Sequence, residues 1–223
     1  EMDLPGLSSC TSAFPSQLPP SLTLASFPSV WQLTAFNISH FPRTLTYLDL
    51  KYNQKVKDSG ISSLPRTLTF LNMSWNALLT DDCSADFPPN LQTLMLNSVT
   101  KFTDKAIANL PRQLTHLTLN SAALLSGSSF MHLPRTLTEL YLSKTNAVTD
   151  SSIRHLPRGL RDLNLNSASH LTNSCVASFP RSLTILKMTW NANISDAAMP
   201  HMPKGLTELD LASSSRITVA GLP

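Results

Sequence analysis

The chain has 223 residues, a formal net charge of +3 and a hydrophobic fraction of 42%. This apolar content can build a buried core, which excludes a disordered chain, and no run approaches the roughly 20 apolar residues of a membrane span. The charge is too small to indicate a nucleic-acid partner. The one unusual ratio is 16 prolines against 6 glycines.

The prolines follow a period of 23 residues, which is typical of a solenoid built from stacked repeats. The period predicts a single repeat domain over 1–223, with a partial repeat at 1–17, a degenerate repeat at 18–40 and eight regular repeats at 41–223, the last one truncated. The segment EMDL, at 1–4, takes the place of YLDL in the first regular repeat. The repeating prolines are Pro19, Pro42, Pro65, Pro88, Pro111, Pro134, Pro157, Pro180 and Pro203.

Each repeat opens with the pattern Leu-x-x-Leu-x-Leu-x-x-Asn, as in Leu45, Leu48, Leu50 and Asn53. The alternation around Leu48 and Leu50 predicts a short strand with both leucines facing inward. Strands one repeat apart then pair into a parallel sheet of about ten strands, because a single unit cannot bury its own leucines. The inward column is unbroken: Leu48, Leu71, Leu94, Leu117, Leu140, Leu163, Leu186 and Leu209.

The second half of each repeat predicts one short helical or 3₁₀ turn. In the segment 148–153, an apolar residue is followed by Thr149, Asp150 and a second apolar residue, Ile153. Threonine is a good N-cap, and an aspartate in the first turn suits the helix dipole. The next proline ends the turn, because the residue before a proline is disfavoured in the α region.

These motifs resemble the leucine-rich repeat superfamily along essentially the whole chain. The segment VTDSSI, at 148–153, is similar to the ending of the cysteine-containing subclass of F-box proteins and bacterial effectors, and the Leu-Pro start resembles effector repeats of the L-P-x-x-L type. The asparagine slot is incomplete, since five repeats carry another residue there: Val99, Ala122, Thr145, Ala168 and Ser214. The resemblance implies an α/β solenoid: an arc with a parallel concave sheet that binds a partner, usually a protein, short helical turns on the convex side, and no catalytic residues.

Strand parity predicts which side chains face outward from the concave sheet. Aromatic residues in two adjacent repeats are expected to form one exposed patch, which is either a surface for a protein or glycan or a set of rings that cover the sheet. Further candidates lie along the same face in later repeats. The predicted partner-binding residues are Tyr47, Asp49, Tyr52, Phe70, Trp75, Tyr141, Lys144 and Trp190.

The charged residues fall into columns. Glu139, Asp162, Glu208 and Asp210 make the concave face mildly acidic, without the convergence that a metal site needs. A column of bases is interpreted as structural, pairing with an aspartate column or with carbonyls at the helix ends; an anion-binding stripe for sulfated glycan or nucleic acid is the alternative. The bases are Arg43, Arg66, Arg112, Arg135, Arg158, Arg181 and Lys204, and the aspartates are Asp58, Asp81, Asp104, Asp150 and Asp196.

The cysteines and histidines carry structural interpretations. Cys83 and Cys175 hold the same repeat position four repeats apart, too far for a disulfide, so buried thiols are predicted for them and for Cys10. His132 and His155 lie in neighbouring repeats but are expected at the ends of helical turns, where the dipole favours them, rather than on a metal. We expect no metal and no cofactor.

The sequence predicts a non-catalytic protein-binding module, because it has no G-x-S-x-G, P-loop, H-E-x-x-H or C-x-x-C motif. The alternative is an extracellular structural or adhesive protein that binds glycan or assembles end to end, and the low charged fraction of 14% favours an extracellular or cell-surface location. No capping repeat is visible, so the chain is expected to be part of a longer array, or else to associate through its uncovered ends. No nucleic-acid partner and no membrane span are expected.

Overall fold

The computed structural model describes residues 2–3, 17–145 and 148–218; Cys10 lies outside them. Ten parallel strands form one sheet in which chain order is also spatial order, and this confirms the predicted architecture. The strands are β1 Met2–Asp3, β2 Leu24–Ser26, β3 Tyr47–Asp49, β4 Phe70–Asn72, β5 Thr93–Met95, β6 His116–Thr118, β7 Glu139–Tyr141, β8 Asp162–Asn164, β9 Ile185–Lys187 and β10 Glu208–Asp210.

The register follows the 23-residue period. Leu48 lies opposite Leu71, which lies opposite Leu94, and the same step continues to Leu209. At the other edge of the sheet, Met2 lies opposite Ala25, which lies opposite Leu48. Seven leucines of this column, from Leu48 to Leu186, are buried, so the core runs along the solenoid and not within any one repeat.

Short helical turns return the chain to the next strand, as predicted. In the ranges that the structure describes, four turns are α-helical and four are 3₁₀, each three to six residues long. The side-chain oxygens of Thr80, Thr103 and Thr172 accept N-cap hydrogen bonds, whereas that of Ser195 accepts none. The α-helices are α1 Ala35–Ser39, α2 Asp58–Ile61, α3 Asp104–Ile107 and α4 Asp150–Ile153. The 3₁₀ helices span Asp81–Asp86, Phe130–His132, Asn173–Ser178 and Asp196–His201.

The repeating prolines both end the helical turns and open the turns that lead into the strands. The Leu45 amide donates to the carbonyl of Pro42, and the Leu68 amide donates to that of Pro65, at 3.3 Å in each case. From Pro42 to Pro203 the repeating prolines are buried, whereas Pro19 is exposed, and the residue after each proline, such as Arg43 or Arg66, is exposed at the corner of the turn. Every regular repeat except 87–109, where Pro89 takes the place, therefore presents an arginine or a lysine at the entry to a strand.

The incomplete asparagine slot has a structural explanation. Where asparagine is present, its side chain closes the turn: Asn76 Nδ2 donates to the carbonyls of Met73, at 2.8 Å, and Leu50, at 3.0 Å. Where Ala122 replaces it, the residue's own backbone amide donates to the carbonyl of Leu119, at 3.3 Å. The turn therefore closes in two ways, and the slot tolerates apolar residues.

The aspartate column joins neighbouring repeats. The backbone amide of Thr103 donates to Asp81 Oδ1, at 2.8 Å, and its hydroxyl donates to Oδ2, at 2.6 Å. The predicted pairing of these aspartates with the arginine column is wrong: the carboxylates are already bonded to the next repeat, and the described residues contain no arginine–aspartate ion pair. The same two-bond contact links Asp58 to Thr80, Asp150 to Thr172 and Asp196 to Thr218.

Asp104 has the largest set of donors in this column. Its carboxylate accepts hydrogen bonds from the amides of Ser126 and Gly127 and from the hydroxyls of Ser126 and Ser129. Gly127 is required at this point, because its φ is +79° and an added Cβ would lie 2.5 Å from Cβ of Ser152. Burial raises the pKa of the Asp104 carboxyl, but the serine hydrogen bonds outweigh this effect, so its pKa lies below the ordinary value of 3.8.

This contact predicts an acid-dependent loss of stability. Because the folded-state pKa of Asp104 is lowered, its contribution is complete above pH 3.8 and is lost as the pH falls through the folded value. We expect Asp104→Asn to lower the free energy of unfolding by about 1 kcal/mol at pH 7, a value reduced by solvent exposure, and to match the wild type at pH 2. Urea unfolding across this range measures it, and a difference that persists at pH 2 would contradict it.

The two described cysteines are buried thiols, as predicted, and neither forms a disulfide. Cys83 Sγ donates to the carbonyl of Thr80, at 3.2 Å. Burial raises the pKa of the Cys175 thiol to about 12 and also raises that of Cys83. Both side chains therefore act as small apolar groups at the helical side of the core.

Candidate functional site

The first aromatic pair lies where two strands begin on the concave face, the side of the sheet that looks away from the helical turns. Tyr47 opens β3 and Phe70 opens β4. Their rings stack with centroids 4.2 Å apart and planes at 10°. Both residues are half-buried, so this strand-entry pair presents one side of a continuous apolar surface to solvent.

The second aromatic pair lies three residues beyond the ends of the same strands. The rings of Tyr52 and Trp75 stack with centroids 5.5 Å apart and planes at 18°. Tyr52 is 43% exposed and Trp75 is 47% exposed. The structure thus arranges the four predicted rings as two stacked pairs, one at each end of the strands. We call this second set the strand-exit pair.

The strand-exit pair occupies backbone positions that L-amino acids rarely adopt. Among the described residues, nine have a φ near +60° at this point, one in each repeat from 18–40 onward, and none of the nine is glycine. The conformation directs each backbone amide to the next repeat: Trp75 donates to the carbonyl of Asn97, at 2.8 Å. Bulky residues are unusual in this region, where strain often marks function. The residues are Ser29, Tyr52, Trp75, Ser98, Ser121, Lys144, Ser167, Trp190 and Ser213.

Polar residues of the strands lie between the two pairs. Asp49 is only 7% exposed, and its carboxylate accepts the Lys51 amide hydrogen bond, at 3.0 Å, and contacts Lys51 Nζ, at 3.7 Å. Asn72 is also buried, and its Oδ1 accepts a hydrogen bond from the amide of Ser74. Asp49 therefore sets the turn after β3 and offers a partner little surface, whereas the rings on either side remain accessible.

Two residues that the sequence did not single out, Trp31 and Lys55, form a cation–π contact between the repeat of Tyr52 and the repeat before it. Trp31 is 50% exposed, and Lys55 Nζ lies 5.1 Å from the centroid of its ring. Gln54, beside Lys55, donates to the carbonyl of Trp75, at 2.9 Å. Residues 18–40 have lost much of the repeat pattern, and for this reason the sequence did not single out Trp31. The feature that could have identified it is its position two residues after Ser29, the first described residue with a positive φ.

The predicted residues further along the face lie in a more polar environment. The Tyr141 hydroxyl donates to Asp162, at 2.8 Å, and burial, followed by this hydrogen bond, raises the tyrosine pKa. Lys144 is exposed after β7, and Trp190 is 67% exposed after β9. These three residues are at least three repeats from Trp75 and do not join the two ring pairs.

The acidic residues of this face are engaged by their neighbours. His116 Nε2 contacts Glu139 Oε1, at 2.7 Å, and Lys187 Nζ contacts Glu208 Oε1, at 3.3 Å. Within 2–3, 17–145 and 148–218, no three His, Cys, Asp or Glu residues are grouped as a metal would require. Over the same ranges, no helix is long and apolar enough to cross a membrane.

Comparisons with known proteins agree with the repeat fold. A family model described as "Leucine Rich repeat" matches residues 41–64 and 65–82. The crystal structure of the leucine-rich repeat-containing protein LegL7 from Legionella pneumophila is similar, with a TM-score of 0.57, 15% identity, and coverage of 88% of this chain and 85% of that one. No curated protein matches the sequence.

A chain in the crystal structure of the Rad7 and Elc1 complex in yeast shares the fold as well. Its TM-score is 0.60 at 16% identity, with 93% of this chain and 74% of that chain covered. At this identity the likeness establishes the fold alone. The sequence assignment of the repeat architecture is confirmed.

Proposed function

The chain is a leucine-rich repeat protein, and on this premise we propose that it is a non-catalytic module that binds a protein partner through its concave face. The contact is centred on the two ring pairs, Tyr47 with Phe70 and Tyr52 with Trp75. Proteins of this architecture are generally interaction scaffolds. One of the similar structures is a complex between two proteins, Rad7 and Elc1.

The observation that carries the proposal is the accessibility of the strand-exit pair. Tyr52 and Trp75 keep more than two fifths of their surface exposed while they occupy a backbone conformation with positive φ. Serine holds the same position in five other repeats, which shows that the fold does not need a ring there. Exposed, rigid aromatic side chains of this kind are enriched at the centres of protein interfaces.

The surroundings of the rings suit a protein partner. The Lys51 side chain contacts Asp49, that of Lys55 lies over the ring of Trp31, and the buried Asp49 and Asn72 lie at the strand ends between the ring pairs. An apolar centre with a polar rim is the usual composition of an interface. The register of the sheet holds the rings in place, so little side-chain entropy is lost on binding.

A quantitative capture experiment tests this proposal. We expect Phe70→Ala/Trp75→Ala to reduce the recovery of protein partners at least about tenfold, because each ring is a hot-spot candidate. The matched control is Phe36→Ala/Met131→Ala, since these two side chains are 65% and 61% exposed but belong to helical turns. Equal recovery by the wild type and the Phe70/Trp75 variant would reject the ring pairs as the contact.

A further inference from the structure

We propose that the arginine column at the entry to the strands is a second binding surface and that its ligand is a linear sulfated polysaccharide. The proposal concerns the edge of the sheet where each proline turn presents its base to solvent, and it is independent of the ring pairs. The arginine column consists of Arg43, Arg66, Arg112, Arg135, Arg158, Arg181 and Lys204.

Hydrogen bonds between repeats hold the column in register. The hydroxyl of Thr67 donates to the carbonyl of Arg43, at 2.7 Å, and the hydroxyl of Ser182 donates to that of Arg158, at the same distance. Thr136 makes the equivalent bond to Arg112. Since neighbouring parallel strands lie about 4.8 Å apart, the five bases from Arg112 to Lys204 span roughly 20 Å.

Most of these guanidinium groups have no protein partner. Arg43 and Arg112 donate to carbonyls at the ends of helical turns, which confirms one predicted role for the column. The other five side chains of the column are exposed, and within the described residues they form no hydrogen bond and no ion pair. These five are Arg66, Arg135, Arg158, Arg181 and Lys204. The aspartates that would neutralise them are bonded to threonines and serines of the next repeat.

The charge of the proline turns is one-sided, although Glu139, Asp162 and Glu208 open the strands that follow three of them. The eight turn segments run from 39–46 to 200–207 in steps of 23 and contain one acidic residue, Asp86, of the 14 in the chain. They contain nine of the 17 lysines and arginines: Arg43, Arg66, Arg112, Arg135, Arg154, Arg158, Arg161, Arg181 and Lys204. A net charge of only +3 thus conceals a basic stripe. The exposed bases of neighbouring turns repel one another, and an anionic ligand that neutralises them removes this repulsion.

The side chains of the stripe favour sulfate esters over nucleic acid. Guanidinium groups form paired, charge-assisted hydrogen bonds with tetrahedral oxyanions. Single-stranded nucleic acid is also held by stacking of its bases on aromatic rings. The phenylalanines of the eight turn segments, Phe41, Phe87 and Phe179, are all buried. Tyr47 and Phe70 open the strands beside the first two bases, but no phenylalanine, tyrosine or tryptophan opens the strands beside the five bases from Arg112 to Lys204, so that part of the stripe offers charge without such a stacking surface.

A cleft at the last described turn provides a place for one sugar unit. It has a volume of about 360 Å³ and is lined by Phe179, Arg181, His201, Met202 and Lys204, among others. This volume lies within the usual range for small-ligand sites. Two bases of the column border it, and apolar surface forms one wall. A sulfated sugar ring can therefore bind its anionic groups to the bases and place its carbon face on the wall.

The test compares two variants that carry the same charge. Arg135→Gln/Arg158→Gln removes two exposed groups without touching their backbone bonds, and Lys101→Gln/Lys105→Gln removes two exposed charges elsewhere. With a heparin dodecasaccharide in 50 mM NaCl, we expect the arginine variant to weaken binding about tenfold or more and the lysine variant by less than threefold. The slope of log K against log salt should become shallower by one to two for the arginine variant, by analogy with counterion release from polyanions.

Two unsulfated probes define the ligand class. Hyaluronan of the same length carries only carboxylates, and a 12-residue oligothymidylate carries phosphates on a flexible strand. Binding of either probe as tight as that of heparin overturns the assignment to sulfated polysaccharide. Equal weakening by the arginine and lysine variants overturns the site itself. Unchanged unfolding curves for both variants show that neither effect arises from misfolding.

Discussion

Phe102→Ala is expected to lower the free energy of unfolding by about 3–5 kcal/mol, as large-to-small changes of buried aromatic residues do. Phe102 is fully buried in the apolar column that precedes the helical turns. Because the core is shared between repeats, loss of the Phe102 ring also weakens the coupling between the neighbouring repeats. We therefore expect a broader urea transition, with a smaller dependence of the unfolding free energy on urea concentration.

Phe36→Ala provides the matched control for the cavity that Phe102→Ala would leave in the core. The substitution is chemically the same, but Phe36 is 65% exposed, and its ring makes a tilted contact with that of His40, with centroids 4.6 Å apart. A surface change of this kind is expected to stay within about 0.5 kcal/mol. If both variants lose the same stability in urea unfolding, the assignment of Phe102 to a continuous core is wrong.

Trp75→Ala is expected to weaken the affinity for a captured protein partner about 30-fold, which corresponds to about 2 kcal/mol. The indole stacks on Tyr52, and Gln54 holds its backbone from the neighbouring repeat. Binding therefore covers a ring that is already ordered. Titration of the purified partner by calorimetry gives the dissociation constants.

Trp190→Ala separates the centre of the site from its periphery. Trp190 has the same backbone conformation and greater exposure, 67%, but it lies five repeats further along the face. We expect a change of less than threefold for this variant. A loss as large as that of Trp75→Ala would mean that the partner extends over most of the sheet, and it would reject a contact centred on the two ring pairs.

The sequence was sufficient for the fold because its signal repeats. The leucine column predicted the position of each strand, the side chains that point into the core and the register between strands. The repeating prolines predicted where each helical turn ends and the chain re-enters the sheet. The partners of the polar columns could not be predicted, since several acceptors lie within reach of every aspartate and arginine. Asp81 bonds to a threonine of the next repeat and its equivalent Asp104 bonds to serines there, and the sequence does not distinguish these partners from a nearby arginine.

The candidate site was predicted in part for the same reason. Period and strand parity placed Tyr47 beside Phe70 and Tyr52 beside Trp75, and the structure stacks both pairs. The burial of Asp49 was not predictable, because parity assigns it outward while the turn after β3 folds over it. The positive φ of Trp75 was hidden as well, since neither glycine nor asparagine marks that position.

Site-directed photo-cross-linking tests the concave-face contact most directly. A benzoylphenylalanine replaces either Phe70, on the concave face, or Phe36, on a helical turn, and each protein is irradiated with its partner. Both residues are phenylalanines, so the substitution is equally conservative at the two positions. We predict covalent adducts with the partner from position 70 and none from position 36. Adducts only from position 36, or equally from both, would contradict binding through the concave face.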